Sequence, residues 1–487
     1  MHTARKMPGI RPMVAGLLAV ALMACGPAFG TVAPTATPVP PTATPTATPR
    51  PVAAAPVPPT IASTRATPPT PSVTQAPKLD DRLYVYDSDQ GGRFLVIDGT
   101  TGRVERTLPS GAPNADWTVL YATETTGERT TVSAIEVATG KTLRSTTLDG
   151  HFSLSWTMPD SLLAGLSRDG QTLVLATEPS RDEIATFERE NRWVSRFAAL
   201  DTAFQRPARI IELDGNFSYD ALAPYGSTLY LIEHRPPVHP TGEYAVRAYD
   251  LAAGTLLPGV IVDKSAGGAV MAGYPLSQIV PSGGSWVYTL YRNSHDGPFI
   301  HALEADNRFA ICLDLPQAGK EDEAAALFWG MALSRYGNTL YAVNSALGQI
   351  AEIDAGGASV RRIATFDPRV AAAAGPLARL GGWLAPAVAA KQLTMRGVAL
   401  SPDGKTILAV GERGLLAIDT ASLKVTRRIA PDAAVGSVAF SADGRSFYAL
   451  DAASGTLQRR DTATGAVLGE FGVGAHPAGI LRVEARR

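Results

Sequence analysis

From residue 80 onward the chain repeats itself, and a repeat of this kind decides the fold before any single motif can. The clearest copies are late. Gly397 to Ile429 reads GVALSPDGKTILAVGERGLLAIDTASLKVTRRI, and Gly436 to Phe471 reads GSVAFSADGRSFYALDAASGTLQRRDTATGAVLGEF. Each copy offers four strand candidates: one before the Ser-x-Asp-Gly turn, one after it, one ending at an Asp-Thr-Ala turn, and a last Val/Leu run. Earlier copies keep the frame. The first turn recurs as Ser167-Arg168-Asp169-Gly170, Pro224-Tyr225-Gly226 and Ser334-Arg335-Tyr336-Gly337, and in degraded form as Pro281-Ser282-Gly283-Gly284. The later turn recurs as Val137-Ala138-Thr139-Gly140 and Asp250-Leu251-Ala252-Ala253-Gly254. Asp suits such turns because its carboxylate caps them, and Gly because it accepts positive φ.

The strand after the first turn is apolar on both faces. Leu229 and Leu231 point one way, Tyr230 and Ile232 the other. A half-solvated sheet would alternate with polar residues, so each small sheet must be covered on both sides. Stacked propeller blades satisfy this. The expectation is an all-β chain, a β-propeller of seven or eight four-stranded blades, with eight repeat units counted. The second unit's leading strand, near Gly111 to Asp116, is cramped, which keeps seven open. The first unit, Arg82 to Leu108, lacks its leading strand, and the chain ends on a strand with no unit after it, His476 to Val483. Pairing the two ends would close the ring and remove an exposed edge. The SPDG turn, the LYVYD and LYLIE strands and the IDTA turn resemble YVTN-type and WD-repeat-like propellers across nearly all of residues 80 to 487. The Trp-Asp dipeptide of WD repeats is absent, which favours the YVTN side. This resemblance implies a fold and leaves function open.

Three stretches break the period: Pro179 to Pro207, charged and aromatic; Pro316 to Leu327, acidic and Ala-rich; and Val370 to Gln392, with Leu377, Leu380 and Leu384 at helical spacing. Short helical insertions are expected there.

The N-terminus reads as an export signal. Arg5, Lys6 and Arg11 precede an uncharged, largely apolar run from Met13 to Ala24, too short to span a bilayer comfortably. Leu22-Met23-Ala24-Cys25 resembles the bacterial lipobox, which implies signal removal over residues 1–24, lipid on the Cys25 thiol and a membrane-held, extracytoplasmic protein. Ordinary cleavage after Ala28-Phe29-Gly30, giving a secreted protein, is the alternative. Residues 25–78 are then a Pro/Thr/Ala-rich tether with few large apolar groups to offset ordering entropy. The propeller occupies 79–487.

The chain has 487 residues and a net charge of −1, so no basic excess marks a nucleic-acid partner. The two cysteines, Cys25 and Cys312, lie in unlike contexts, and Cys312 sits in an apolar strand-like run as a buried thiol. His234 and His239 are weak metal candidates in a Pro-rich loop without a third spaced ligand. His151, His295 and His301 are scattered. Asp87-Ser88-Asp89-Gln90-Gly91-Gly92 faintly echoes a calcium loop, but its fifth position is Gly, which favours a hairpin turn. Asp98, Asp250, Asp354, Asp419 and Asp461 recur once per unit and read as turn caps. No hydrolase elbow, haem motif, phosphate loop or zincin motif is present. Thr139-Gly140-Lys141 is not followed by the Trp of quinoprotein blades. The expected function is a monomeric, non-catalytic binding or scaffold module at the cell envelope, without cofactor, facing an unidentified protein, peptide or glycan. Its alternatives are a lactonase-like hydrolase with a metal in the central channel and a quinoprotein-like redox protein.

Overall fold

The structure is a computed structural model. It describes residues 80–486 apart from 90–91, 157–163, 239, 241, 263–270, 282–284, 293–296, 317–324, 368–396, 412–413, 431–432 and 475. The signal and tether therefore lie outside the described residues, as does the Ala-rich insertion at 370–392.

Eight antiparallel sheets are present, one per repeat unit, which resolves the count. From the inner strand outward, blade 1 is Pro477–Ala485, Asp81–Asp87, Arg93–Asp98 and Val104–Pro109. Blade 2 is Ala112–Pro113, Val119–Thr126, Arg129–Glu136 and Thr142–Asp149. Its inner strand has only two residues, the cramping visible in the sequence. Blade 3 is Phe152–Leu154, Thr172–Thr177, Val194–Asp201 and Arg209–Asp214. Blade 4 is Phe217–Leu222, Thr228–Arg235, Glu243–Asp250 and Thr255–Leu256, with Met271–Ala272 also paired to its third strand. Blade 5 is Tyr274–Ile279, Trp286–Arg292, Phe299–Glu304 and Phe309–Asp314. Blade 6 is Trp329–Leu333, Thr339–Asn344, Gln349–Asp354 and Ser359–Thr365. Blade 7 is Val398–Leu400, Thr406–Val410, Leu415–Asp419 and Lys424–Ile429. Blade 8 is Ser437–Phe440, Ser446–Asp451, Thr456–Asp461 and Val467–Gly472.

The alternation of strand direction gives the ring two unlike faces. First-to-second and third-to-fourth turns lie on one, the turn face. Second-to-third hairpins and blade-to-blade connections lie on the other, the loop face. Turn-face geometry is set locally: Ser167, Ser401 and Ser441 each accept from the amide five residues on, at 2.9, 2.9 and 3.0 Å. Gly170, Gly404 and Gly444 follow at φ near +70°.

The core is divided among the blade interfaces. Leu229 and Leu231 of blade 4 join Val174, Phe197 and Ile211 of blade 3. Tyr230 and Ile232, on the other face of the same strand, join Val287, Tyr291 and Phe299 of blade 5. Likewise Ile407 and Ala409 face blade 6, and Leu408 and Val410 face blade 8. Each such side chain contributes about 1.5–3 kcal/mol by burial.

Polar clamps fix the blades at the turn face. An outer-strand arginine donates to carbonyls in the third-to-fourth turn of the next blade. Arg106 reaches Val137 O at 2.9 Å, Arg144 reaches Thr202 O at 2.7 Å, and Arg362 reaches Ala421 O and Thr420 O at 2.9 and 3.1 Å. Arg209 and Arg427 make the same contact in blades 3 and 7. Second-strand tyrosines add a buried version: Tyr230 donates to Ala305 O at 2.6 Å and Tyr288 to Ala355 O at 2.9 Å.

Two expectations need correction. The Pro179–Pro207 insertion is shorter than the sequence suggested: its helix spans Arg181–Glu190, capped by Ser180 and Glu183, while Val194–Asp201 returns as the blade's third strand. Cys312 is half-buried rather than buried, because Phe309–Asp314 is an outermost strand with one neighbour strand only.

The ends close the ring as expected. Pro477–Ala485 pairs antiparallel with Asp81–Asp87, placing Val85 opposite Ile480 and Leu83 opposite Val483. Ile480 packs in the blade 8–1 interface and Leu481 in the blade 1–2 interface. Tyr448 of blade 8 donates to Asp81 at 2.8 Å, and Arg486 pairs with Asp98 at 2.9 Å. Deleting residues 477–487 should cost about 3–6 kcal/mol through Ile480 and Leu481 alone. Thermal melting of the truncated chain is expected at a clearly lower temperature with a broadened transition. A melt superimposable on that of the full chain would show that the terminal strand is dispensable.

Candidate functional site

The inner strands surround a cavity of about 560 Å³ that runs along the ring axis from one face to the other. Inner strands of blades 5 to 8 and of blade 1 line it. Leu276, Ile279, Met331, Leu333, Leu400 and Phe440 make much of the wall apolar; Ser277, Gln278, Ser401 and Ser441 add neutral polar groups; Arg335 and Arg482 add two guanidinium groups. Among the described residues that line it there is no carboxylate and no imidazole.

The serines are committed to the fold. Ser401 Oγ donates to Asp403 at 2.6 Å while accepting the Thr406 amide, and Ser441 Oγ donates to Asp443 at 2.8 Å while accepting the Ser446 amide. The carboxylate each one faces is engaged as a turn cap and no imidazole lines the cavity among the described residues, so neither is arranged as an activated nucleophile. Arg482 Nε contacts Glu484 at 3.2 Å, and its guanidinium lies 5.6 Å from the Trp117 ring centre. Arg335 is exposed at the turn-face rim and makes no hydrogen bond or ion pair among the described residues.

The residues singled out from sequence do not converge on this cavity. His234 Nε2 and Ser218 Oγ share a hydrogen bond of 2.9 Å at the loop face, and burial holds the imidazole below its ordinary pKa. His239, His295 and Cys25 lie outside the described residues. Among the described residues no three of His, Cys, Asp and Glu are grouped to hold a metal. His151 is exposed beside Glu128 at 3.5 Å. Asp87 is buried, accepting from Arg93 and from the Asp89 amide across a hairpin, which is the bland reading of the calcium-like run. Asp98, Asp250, Asp354, Asp419 and Asp461 each accept amides of their own turns. Hydrogen bonds from the Ser422 and Thr464 side chains and turn amides hold Asp419 and Asp461 below the usual carboxylate range. Thr139-Gly140-Lys141 forms an ordinary third-to-fourth turn, with Gly140 at φ +76°.

Sequence reading missed a buried polar group beside the channel, between blades 4 and 5. Asp220, only 1% exposed, sits at a bulge between Tyr219 and Ala221. Gln278, which lines the channel, donates to the Asp220 carbonyl and to Thr289 Oγ1, both at 3.1 Å. Thr289 is paired across the sheet with the fully buried His301, and His301 with Cys312. Tyr291 lies 6.4 Å from the His301 ring and stacks on Tyr244 at 5.4 Å. Asp220 and His301 stand in strands whose neighbours give no warning of a polar interior. The available signal is a charged residue in the otherwise uncharged run Phe217–Leu222. A cavity of about 20 Å³ touching Tyr219, Ala221 and Gln278 is the size of one water.

No protein-family model matches the chain, and no curated protein matches it. Among solved structures it is similar to apo AztD from Citrobacter koseri, with 14% identity and a TM-score of 0.48 over 83% of this chain and 97% of that one. It is similar to the dihydro-heme d1 dehydrogenase NirN at 13% identity and a TM-score of 0.48, over 82% of this chain and 75% of that one. Hydrazine synthase from Kuenenia stuttgartiensis follows at 15% identity and a TM-score of 0.37, over 68% and 90%. At these values the likenesses say nothing about activity, and the fold rests on strand order and pairing.

Burial pushes the Asp220 carboxyl up to about 7. The folded chain therefore keeps a proton there that the unfolded chain has released above its ordinary value near about 3.9. The folded state binds more protons between about pH 4 and 7, so this group's contribution is full below that window and lost as pH rises through it. Asp220→Asn removes the titration. The melting temperature of the variant minus that of wild type should rise from pH 5 to pH 8. A difference independent of pH would show that the carboxyl is not held protonated by its surroundings.

Proposed function

We propose that this chain is an exported binding protein, held at the outer side of a cell membrane by lipid on Cys25, whose propeller takes a small ligand in its central channel without transforming it. One observation carries the binding half of this reading. Among the described residues, the cavity of about 560 Å³ is lined by groups that hold a ligand and by no carboxylate or imidazole that would move protons or ligate a metal. Its size falls within the range of about 300–1,000 Å³ common for small-molecule sites, and its apolar wall with a few polar points suits orientation and affinity. A hydrolase with a channel metal needs carboxylates or imidazoles converging on the axis. The described lining supplies neither, and Ser401 and Ser441 are bound up in turns. The export half is carried by the order of charge, apolar run and Cys25, and by a Pro/Thr/Ala-rich stretch of the kind that serves as a spacer.

Both halves can be tested on the full chain. In a bacterial host that processes lipoproteins, the wild type should sediment with membranes and Cys25→Ala should not. A Cys25→Ala protein still found with the membranes would overturn the lipid anchor. For the channel, 1-naphthol, an uncharged bicyclic probe, should bind saturably at one site per chain. Ala399→Phe and Ala439→Phe, which narrow the cavity from blades 7 and 8, should each abolish it where the variant melts like wild type. Saturable binding that survives both substitutions, or none in the wild type, would overturn the channel as the ligand site.

A further inference from the structure

The turn face is not electrostatically uniform around the channel mouth, and the asymmetry comes from two positions of one repeated turn. The second residue of the first-to-second turn lies at the channel or at the small cavity beside it. It is Arg335, Pro402 and Ala442 in blades 6, 7 and 8, and Arg168 and Pro224 in blades 3 and 4. No carboxylate occupies this position in these blades.

The third residue differs more sharply. In blades 3, 7 and 8 it is Asp169, Asp403 and Asp443, each accepting the turn's serine hydroxyl at 2.6, 2.6 and 2.8 Å. Each also accepts the amide two residues on, at 3.0–3.1 Å. Blade 2 has the exposed Asp116 in the corresponding turn. In blades 4 and 6 the same place holds Tyr225 and Tyr336, which are 76% and 83% exposed. A tyrosine cannot make the aspartate's turn bonds, and a ring left in water contributes nothing to the core. In blade 6 Asn338 replaces the aspartate as acceptor of the Ser334 hydroxyl, at 2.8 Å, and in blade 4 the first turn residue is Ala223, so both turns dispense with the aspartate and present an aromatic side chain in its place. By sequence the blade 5 turn, 281–285, carries no charge either. The turn-face carboxylates of this sector, Asp250, Glu304, Asp306 and Asp354, stand in or at the outer turns, where Asp250 and Asp354 cap their own amides. Arg168 donates to the Pro281 carbonyl and Arg482 contacts Glu484, whereas Arg335 has no partner among the described residues. In blades 3, 7 and 8 each aspartate shares its turn with a cation, Arg168, Lys405 and Arg445, so these turns carry no net charge, whereas the blade 6 turn carries Arg335 with no carboxylate and the exposed Tyr336 ring beside it.

We infer that the turn-face mouth of the channel is the entry, and that Arg335 there recognises the anionic head of a small carboxylate- or phosphate-bearing ligand whose apolar body lies in the channel. This rests on the channel-binding reading above. A guanidinium fork matches carboxylate and phosphate oxygens, and an unpaired one at a rim loses little hydration on doing so. By sequence the blade 6 turn is the one first-to-second turn of blades 2 to 8 with a net positive charge, which sets the ligand's orientation.

The test uses the full chain and three probes of one body, 1-naphthoate, 1-naphthyl phosphate and uncharged 1-naphthol, titrated at pH 7.5 and low salt. The two anions should bind about tenfold tighter than naphthol. Arg335→Ala and Arg335→Gln, both on an exposed turn, should erase that advantage and leave naphthol unchanged. Which anion binds tighter tells whether carboxylate or phosphate is preferred. Anions no tighter than naphthol, or an advantage that survives both substitutions, overturns the role of Arg335 while the channel stands. If none of the three binds, the channel reading itself fails and takes this inference with it.

Discussion

A sheet that is apolar on both faces cannot exist alone, and this one constraint organises the molecule. The second strand of each blade, of which Thr228–Arg235 is typical, buries one row of side chains against the blade before it and the other row against the blade after. Every blade thus needs two neighbours. A finite stack would leave two apolar faces in water, and only a ring leaves none. The eight interfaces each hold their own cluster, so the core is a circle of slabs rather than one central mass.

Closure falls on one blade, and the chain builds that blade from its two ends. Pro477–Ala485 supplies the inner strand of the sheet that begins at Asp81, so neither the blade 8–1 nor the blade 1–2 interface is complete until the last residues are in place. Side chains on both faces of this strand enter two different clusters, which ties the joint to the neighbours on each side. Charge reinforces it at the turn face. Arg486 reaches Asp98 and Glu105, Arg82 reaches Glu105 and Glu484, and Tyr84 donates to Glu484 at 2.9 Å. Half-buried ion pairs of this kind add little energy each but fix register, which matters where the pairing strands are separated by nearly the whole chain.

How far the sequence can be read follows from where each feature's cause lies. Blade number, closure and turn chemistry are local: a Ser-x-Asp-Gly turn and a two-sided apolar strand carry their own explanation within ten residues. The arginine clamps went unread, although Arg106, Arg144, Arg209, Arg362 and Arg427 stand at like places in their outer strands. Their acceptors are backbone carbonyls of the next blade, which no side-chain pattern announces. Asp220 and His301 were illegible for a stronger reason. They belong to different blades, and only the register of two sheets on either side of Gln278 brings their surroundings together. The channel is the extreme case. Its wall takes short runs from the inner strands of five blades, far apart in the chain, so no one stretch encodes it.

The same logic explains why a repeat protein of this type shows its specificity as departures from the repeat. Aspartate at the third turn position is the locally stable choice, seen in blades 3, 7 and 8, and it is bonded twice within its own turn. Where the frame is kept but the residue is changed to an exposed tyrosine, the ring itself is not buried, and in blade 6 Asn338 supplies the acceptor for Ser334 that the aspartate gives elsewhere. A structural explanation of Tyr225 and Tyr336 is therefore missing on physical grounds, whereas none is needed for the periodic aspartates. Chemistry that is periodic serves the ring, and chemistry that breaks the period at the axis is free to serve a ligand. By that criterion the blade 4–6 sector of the turn face, with Arg335 at its rim, is the part of this surface whose residues the ring does not require.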